Sequence, residues 1–205
     1  MTTRRYTQQA RAEAAEETRR RILDATLERL RSAPTEPLSV ERVAQDAGVA
    51  RSTVYLVFGS RAGLFEALGR DMLTRTGFQR IVDAVALPDA RLAVAEALRA
   101  AAGVYAAERD VARTIYSMWT LDPDALRGAF ETVERGRVEG QLRLAERLHE
   151  EGHLRAGVTV DEATDILWVV SSFETFDQLY TGRALGEDAV AARLGAMAER
   201  SLWER

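Results

Sequence analysis

The segment from Leu38 to Phe65, which reads LSVERVAQDAGVARSTVYLVFGSRAGLF, restricts the fold more than any other part of the chain. Ala44, Gly48 and Val54 have the spacing of two short helices that cross at a steep angle. Such a crossing needs a small residue where the helices touch, a glycine for the positive φ of the turn, and an apolar anchor on the second helix. The pattern therefore predicts a helix-turn-helix over about residues 39–58, followed directly by a third helix.

The second helix of this motif, predicted from about Ala50 to Phe58, carries side chains suited to DNA. A guanidinium can bind guanine or phosphate, hydroxyls can reach base edges or the backbone, and a phenol can bind phosphate. A short helical hairpin can also carry such residues on a solvated face that binds nothing. Sequence-specific DNA binding is the leading hypothesis, with contacts predicted at Arg51, Ser52, Thr53 and Tyr55.

The sequence around the motif resembles the tetracycline-repressor (TetR) family of transcriptional regulators. Tyr55, Phe58, Arg61, Leu64 and Phe65 match that family's signature of tyrosine, phenylalanine, basic residue, leucine and phenylalanine. An arginine-rich first helix precedes the motif here, as it does in the family. The resemblance is strong over about residues 20–73, and beyond that region it rests on helical pattern and general layout.

This resemblance implies which side chains contact DNA. It places Arg61 at a phosphate, from the start of a helix that Ser60 can cap. Leu56 and Val57 depart from the family, since many members have polar, aromatic or basic residues there, and Leu56 can either touch thymine methyl groups or pack inward. Ser39 is added as the predicted N-cap of the first motif helix. The DNA-binding residues are thus predicted as Ser39, Arg51, Ser52, Thr53, Tyr55 and Arg61.

Composition predicts an all-α chain. Alanine, leucine, arginine and glutamate dominate, and only 4 prolines and 14 glycines interrupt the 205 residues. The 46% hydrophobic content can supply a substantial core. The absence of cysteine excludes disulfides, thiolate metal sites and cysteine nucleophiles. No cofactor is predicted.

Two domains are predicted, an N-terminal helix-turn-helix domain over residues 1–76 and a larger helical ligand-binding and dimerisation domain over residues 77–205.

The net charge of the N-terminal part of the chain differs from that of the remainder. Residues 1–65 hold 11 arginines against 8 acidic residues, a net +3, while residues 66–205 hold 17 against 24, a net −7, which together give −4. The basic N-terminal part agrees with DNA binding.

Caps and breakers predict about nine helices. Asp122 followed by Pro123 has the form of an N-cap and first helical residue, and Thr159 with Glu162 forms a capping box. Besides the motif, helices are predicted over about 12–31, from residue 61 toward 77, from 90, over 110–119, from 123 to 151, from 160 through 180, and over 187–202.

Two apolar stripes near the C-terminus favour a homodimer. One runs along the helix predicted from residue 160, and the other lies on the last helix. Two such stripes can exceed what one core needs, and a four-helix interface with a second copy would bury the surplus. The alternative is that both stripes are ordinary monomer core. The predicted interface residues are Phe176, Tyr180, Val190, Leu194 and Met197.

A ligand cavity is predicted among the helices before the last one. Aromatic and soft side chains are available to line an apolar pocket, although core packing is the alternative role for each of them. The predicted lining is Tyr105, Tyr116, Met118, Trp119, Trp168 and Phe173. The chemical class of the small-molecule effector does not follow from these residues.

One motif belongs to a different class of protein. His149, Glu150 and His153 have the H-E-x-x-H spacing of zinc metalloproteases, in which two histidines on one helical face bind zinc. These are the only 2 histidines in the chain, Gly152 weakens the helix between them, and no third-ligand motif follows. We therefore predict no enzyme and no metal, keep a zinc-dependent hydrolase as the alternative, and leave open metal binding by the two histidines.

The leading hypothesis is a dimeric repressor that binds a palindromic operator and releases it when a small molecule enters the larger domain. A regulatory domain that responds to a partner protein is a variant of it. The polar N-terminus has no secretory signal, and no segment approaches the ~20 apolar residues of a membrane span. A cytoplasmic protein is expected.

Overall fold

The computed structural model describes residues 2–33, 36, 38–75, 77–121 and 123–203. Within those ranges the structure contains eleven α-helices and no strand. They are α1 Thr2–Ser32, α2 Val40–Asp46, α3 Arg51–Phe58, α4 Arg61–Arg75, α5 Gln79–Val85, α6 Ala90–Ala107, α7 Arg109–Leu121, α8 Pro123–Glu150, α9 Val160–Val170, α10 Phe173–Tyr180 and α11 Glu187–Leu202. The predicted all-α fold with an N-terminal helix-turn-helix is confirmed.

The helices of the structure differ from the prediction at three places. Helix α1 begins at Thr2, well before the predicted start, because no proline or glycine interrupts the intervening stretch. The short helix α5 was not predicted. The single helix predicted from residue 160 through 180 is wrong, because the chain breaks into α9 and α10 at Ser171 and Ser172. Ser172 caps α10 by accepting the Thr175 backbone N–H at 3.1 Å.

Other helix boundaries follow their caps. The Thr159 hydroxyl accepts the Glu162 backbone N–H at 3.2 Å, and the Glu162 carboxylate accepts the Thr159 backbone N–H at 2.9 Å, which confirms the capping box. These hydrogen bonds to Thr159 lower the pKa of Glu162. The predicted cap at Asp122 lies outside the described residues.

The chain divides into two compact units. The first comprises the described residues of Met1–Asp71 and Arg113–Ala129, and the second those of Met72–Ala112 and Phe130–Arg205. Helix α7 therefore contributes to both units. The predicted domain division after residue 76 remains a prediction.

The first unit is built on α1, whose apolar face is buried along its C-terminal half. Thr26 is also buried there, and its hydroxyl donates to the Ile22 carbonyl oxygen at 2.7 Å, which offsets the cost of burying a polar group. The Thr114 hydroxyl of α7 donates to the carbonyl oxygen of Leu30 at 3.3 Å. The buried apolar residues of this unit include Ile22, Leu23, Leu27, Leu30, Leu38, Val40, Val43, Ala44, Val54, Leu64, Phe65 and Leu68.

In the second unit, α6, α8, α9 and α11 enclose one apolar core. Alanines on α6 allow close approach of neighbouring helices, while leucines on α8, α9 and α11 fill the space between them. The core consists of Ala90, Ala93, Val94, Leu98, Leu144, Ala145, Leu148, Ala163, Leu167, Val170, Ala198 and Leu202. Among the described residues, no helix is both long enough and apolar enough to cross a membrane.

Candidate nucleic-acid interface

The turn between α2 and α3 has the geometry that the sequence predicted. Gly48 adopts a φ of +63°, in the left-handed region that a side chain would disfavour. Its backbone N–H donates to the Gln45 carbonyl oxygen at 3.0 Å, and the Val49 N–H donates to the Ala44 carbonyl oxygen at 2.9 Å. Ala44 on α2 and Val54 on α3 are both buried. The structure thus contains a helix-turn-helix.

Helix α3 has one buried face and one exposed face. Val54 anchors the helix in the core of the first unit, and Val57 is half-buried. Arg51, Ser52 and Tyr55 are exposed. Leu56 is 86% exposed, so its side chain does not pack inward. The exposed face therefore combines a cation, two hydroxyls and an aliphatic side chain.

Arg51 and Tyr55 form a pair on that face. An Arg51 Nη donates to the Tyr55 hydroxyl at 3.5 Å, one helical turn away, and the guanidinium lies 5.6 Å from the centroid of the Tyr55 ring. The hydrogen bond to Tyr55 raises the pKa of the Arg51 guanidinium. The pairing leaves the other guanidinium N–H groups of Arg51 available to an acceptor such as guanine or phosphate.

Two arginines on the neighbouring helices, Arg29 and Arg42, form ion pairs with carboxylates. Arg29 of α1 donates to Asp46 at 2.8 Å and to Glu36 at 3.2 Å, and Arg42 of α2 also donates to Glu36. These ion pairs connect α1 to the end of α2. They pair two cations beside the motif with carboxylates, which reduces the charge that Arg29 and Arg42 can offer to DNA.

Two predicted DNA-binding residues, Ser39 and Thr53, do not lie on the exposed face of α3. Ser39 is the N-cap residue of α2, with an extended backbone, but its side chain makes no capping hydrogen bond. The predicted hydroxyl cap is therefore wrong, and the first helical hydrogen bond runs from the Val43 N–H to the Ser39 carbonyl oxygen at 3.0 Å. Thr53 is half-buried at the edge of the exposed face of α3.

The start of α4 follows α3 after a glycine turn. Gly59 has a φ of +75°, and the Ser60 hydroxyl accepts the Gly63 backbone N–H at 3.0 Å, which confirms Ser60 as the cap. Arg61 is half-buried, and its guanidinium lies 5.6 Å from the centroid of the Phe65 ring. The guanidinium is thereby positioned at the N-terminal end of α4.

Sequence reasoning missed one contact that supports this surface. The Arg19 guanidinium of α1 lies 5.1 Å from the centroid of the Phe58 ring, at the end of α3. A cation over an aromatic face stabilises the packing by ~0.5–1 kcal/mol at an exposed site. No local signal could have shown it, because the two residues lie far apart in the sequence.

The residues predicted to line a pocket belong to two different units. Tyr116, Met118 and Trp119 lie on the part of α7 that contributes to the first unit. The remaining three, from the second unit, are Tyr105, Trp168 and Phe173. The ligand pocket remains a prediction.

Within the second unit, Tyr105 and Trp168 have different surroundings. The Tyr105 hydroxyl donates to the Ser171 carbonyl oxygen at 3.2 Å, and burial raises the pKa of Tyr105 to about 12. Trp168 is 40% exposed, with the Arg137 guanidinium 5.7 Å from its ring centroid. Its indole N–H donates to Glu134 at 3.1 Å. Tyr105 is thus half-buried with its hydroxyl bonded to a backbone carbonyl, whereas Trp168 lies at the surface of the chain.

The residues predicted to form a dimer interface are mostly core. Phe176, Val190 and Leu194 are buried within the chain, so their side chains are not available to a second copy in this structure. Tyr180 is half-buried and stacks on Phe176 with ring centroids 5.0 Å apart. Met197 is exposed. An apolar stripe identifies buried positions without showing whether the same chain or a partner buries them.

The structure does not support the zinc-protease reading of the histidine motif. Helix α8 ends at Glu150, and Gly152 turns the chain with a φ of +71°. The His153 N–H donates to the Leu148 carbonyl oxygen at 2.8 Å, a C-terminal capping bond. His149 lies in the last turn of the helix and His153 lies beyond it, so the two do not share the helical face that the zinc motif requires.

Comparison with known proteins finds one family match, confined to the helix-turn-helix region, and similar folds over most of the chain. Residues 22–68 match the model of the bacterial regulatory proteins of the tetR family. NalD, the secondary repressor of the MexAB-OprM multidrug efflux pump in Pseudomonas aeruginosa, is 23% identical with a TM-score of 0.72, over 94% of this chain and 98% of NalD. A search of curated proteins found no match.

Two further solved structures are similar. The ketosteroid transcriptional regulator KstR2 of Mycobacterium tuberculosis is 16% identical with a TM-score of 0.63, over 91% of this chain and 95% of that one. A TetR-like transcriptional regulator from Rhodococcus sp. RHA1 is 19% identical with a TM-score of 0.64, over 89% and 94%. At these identities the likeness shows the fold, and the family match covers the helix-turn-helix.

Proposed function

We propose that this chain is a transcriptional regulator of the TetR family, as the family match at residues 22–68 supports, and that it binds a palindromic operator as a homodimer and releases it when a small molecule binds. The observation that carries the proposal is the exposed face of α3, where Arg51, Ser52, Tyr55 and Leu56 stand on a helix anchored by buried Val54. A recognition helix presents such side chains to the major groove.

The chemistry of that face favours a mixed readout. The Arg51 guanidinium can donate two hydrogen bonds to guanine, and the Ser52 and Tyr55 hydroxyls can bind phosphate or base edges. Leu56 cannot form a hydrogen bond, and a thymine methyl group is the partner in the major groove that suits it. Arg61 is proposed to bind phosphate together with the first-turn amides of α4. Ser39 and Thr53 are proposed as contacts at the edge of this surface.

Exposed apolar residues support a dimer through α9 and α11. Trp168 and Val169 on α9 are 40% and 51% exposed, and Met197 on α11 is 42% exposed. Large apolar side chains on adjacent helices are typical of an interface between copies. Helices α9 and α11 also pack against each other, so one face can carry all three side chains. A dimer would present two α3 helices to the two halves of a palindrome.

Regulation is proposed to be negative and ligand-responsive. NalD is described as a repressor, and the same sign of regulation is proposed here. An effector that binds better to one conformation of the second unit would shift the population away from the DNA-binding form. A protein that binds chromosomal DNA is expected to act in the cytoplasm.

The test is selection of bound sequences from a random duplex library at near-physiological salt. We expect enrichment of a palindrome whose half-sites lie about one helical turn apart, since two α3 helices must occupy successive major grooves. Arg51→Ala, run in parallel, should lose the enrichment, while Arg42→Ala should retain it because Glu36 already engages Arg42. A library that gives no enriched sequence with the unaltered chain would refute the proposal.

A further inference from the structure

Three metal-ligating side chains meet at the junction of α6 and the end of α8. Asp89 is the N-cap of α6, while Glu151 and His153 lie in the turn after α8. One possible ligand atom from each residue lies within 4.8 Å of the others. His153 Nε2 is 3.3 Å from Glu151 Oε2. The fold thus joins a carboxylate from one segment with a carboxylate and an imidazole from another.

We propose that Asp89, Glu151 and His153 form a binding site for one divalent transition-metal ion of the zinc type. An imidazole with two carboxylates is a donor set that Zn²⁺ accepts, with a fourth position left for water. Zn–N and Zn–O bonds of about 2.0–2.2 Å give ligand-to-ligand distances of roughly 3.3 Å in a tetrahedron. The spacing of His153 and Glu151 already has this value.

Each of the two carboxylates accepts one backbone hydrogen bond. Asp89 Oδ1 accepts the Leu92 N–H at 2.9 Å. Glu151 Oε2 accepts the Ala90 N–H at 2.8 Å. His153 is oriented by the turn at Gly152. The second oxygen of Asp89 and the second lone pair of Glu151 Oε2 can face an ion.

Two features oppose a cation here, and their geometry limits their effect. The N-terminus of α6 carries a partial positive charge, and Arg147 approaches Glu151 Oε1 at 3.4 Å. Arg147 is held more closely by the carbonyl oxygens of Val85 at 2.7 Å and Leu87 at 2.6 Å. The Asp89 and Glu151 carboxylates therefore remain as two oxygen donors for the proposed ion.

This site is different from the zinc-protease pair that the sequence suggested. His149 is exposed in the last turn of α8 and is not part of the cluster. His153 is shared by both readings, but its partners in the structure are Asp89 and Glu151. His149 therefore provides a matched control for every experiment on His153.

The experiment is isothermal titration of the full chain, purified without a polyhistidine tag, with ZnCl₂ in a buffer that does not bind zinc. We expect one Zn²⁺ per chain, with binding weakened about tenfold or more in Asp89→Asn and in His153→Gln. Asparagine caps a helix as well as aspartate does, so Asp89→Asn should keep the fold. Circular dichroism checks this for each variant.

The His149→Gln control distinguishes the proposed cluster from the pair of histidines. His149→Gln should bind Zn²⁺ as tightly as the unaltered chain. If His149→Gln instead loses binding together with His153→Gln, the histidine pair binds the ion and the proposed cluster is refuted. An unaltered chain that takes up no Zn²⁺, or variants that all bind equally, would also refute it. Operator binding is measured separately, because the proposal does not depend on the DNA-binding function.

Discussion

Substitution of Gly63 by alanine should destabilise the chain although it adds a better helix former. A Cβ built on Gly63 would lie 2.1 Å from the carbonyl oxygen of Phe58 and 3.3 Å from its carbonyl carbon. Both atoms belong to the backbone at the end of α3, so no side-chain rotation can relieve the contact. The backbone between α3 and α4 must move instead.

The magnitude follows from two opposing effects. Alanine is favoured over glycine inside a helix by about 0.5–1 kcal/mol, and less in the first turn, where Gly63 lies. Forcing an extra methyl group into a tightly packed position costs about 1–3 kcal/mol. For a contact with backbone at this distance the cost should exceed the gain. We expect Gly63→Ala to lower the free energy of unfolding by about 1–2 kcal/mol, or Tm by roughly 2–8 °C.

Gly69 of the same helix provides the matched control. A Cβ at Gly69 would meet no heavy atom within 4 Å. Gly69→Ala should therefore raise the free energy of unfolding by about 0.5–1 kcal/mol. Urea unfolding followed by circular dichroism measures both variants. The reasoning is refuted if Gly63→Ala is as stable as Gly69→Ala.

A second measurement tests the link with DNA. Because Phe58 is the last residue of α3, movement of its carbonyl group should displace the exposed face of that helix. Gly63→Ala should thus bind the selected operator more weakly than Gly69→Ala at a temperature where both are folded. Fluorescence anisotropy with labelled operator reports this difference.

Three other predictions concern separate parts of the molecule. Arg51→Ala should weaken operator binding by about 1–3 kcal/mol if Arg51 binds guanine. Fluorescence anisotropy measures this with operators that are changed at single base pairs. Equal weakening for all of these sequences would contradict the guanine contact. Val169→Glu should abolish the dimer measured by sedimentation velocity. Val82→Glu, a substitution at a similarly exposed valine of α5, should leave the dimer intact. Equal sedimentation of the two variants would exclude α9 from the interface. Burial raises the pKa of Tyr105 to about 12, above the 10.0 of an unfolded tyrosine, so folding favours the neutral form. The Tyr105 contribution to the free energy of unfolding should then fall by about 2 kcal/mol between pH 10 and 12, and Tyr105→Phe should lack that part of the fall in urea unfolding at successive pH values.

The helix-turn-helix could be predicted because its signals are local. Gly48 must adopt a positive φ, Ser60 caps the next helix, and Val54 faces inward, each within a few residues of its partner. The exposure of Leu56 could not be predicted, since an aliphatic residue on a short helix suits either face. Only the packing of α3 in the first unit decides between them.

Features that depend on packing between different helices could not be predicted from the sequence. The apolar stripe on the helix predicted from residue 160 through 180 continues through Ser171 and Ser172 without proline or glycine, so one helix was predicted where the structure has two. The meeting of Asp89 with His153 joins segments more than sixty residues apart, which no local pattern reports. The stripes on α9 to α11 correctly marked apolar positions, yet burial of Phe176 depends on which helices surround it.

The two-segment composition of the first unit has a consequence for how the chain is made. Helix α7 returns to this unit after the intervening α5 and α6, and Thr114 donates to the carbonyl oxygen of Leu30. During synthesis the helix-turn-helix leaves the ribosome before α7 has been made, so the first unit is complete only after α7 has been added. A fragment that ends after α4 would lack α7. A chimaera that joins the helix-turn-helix unit to another regulator should therefore include α7.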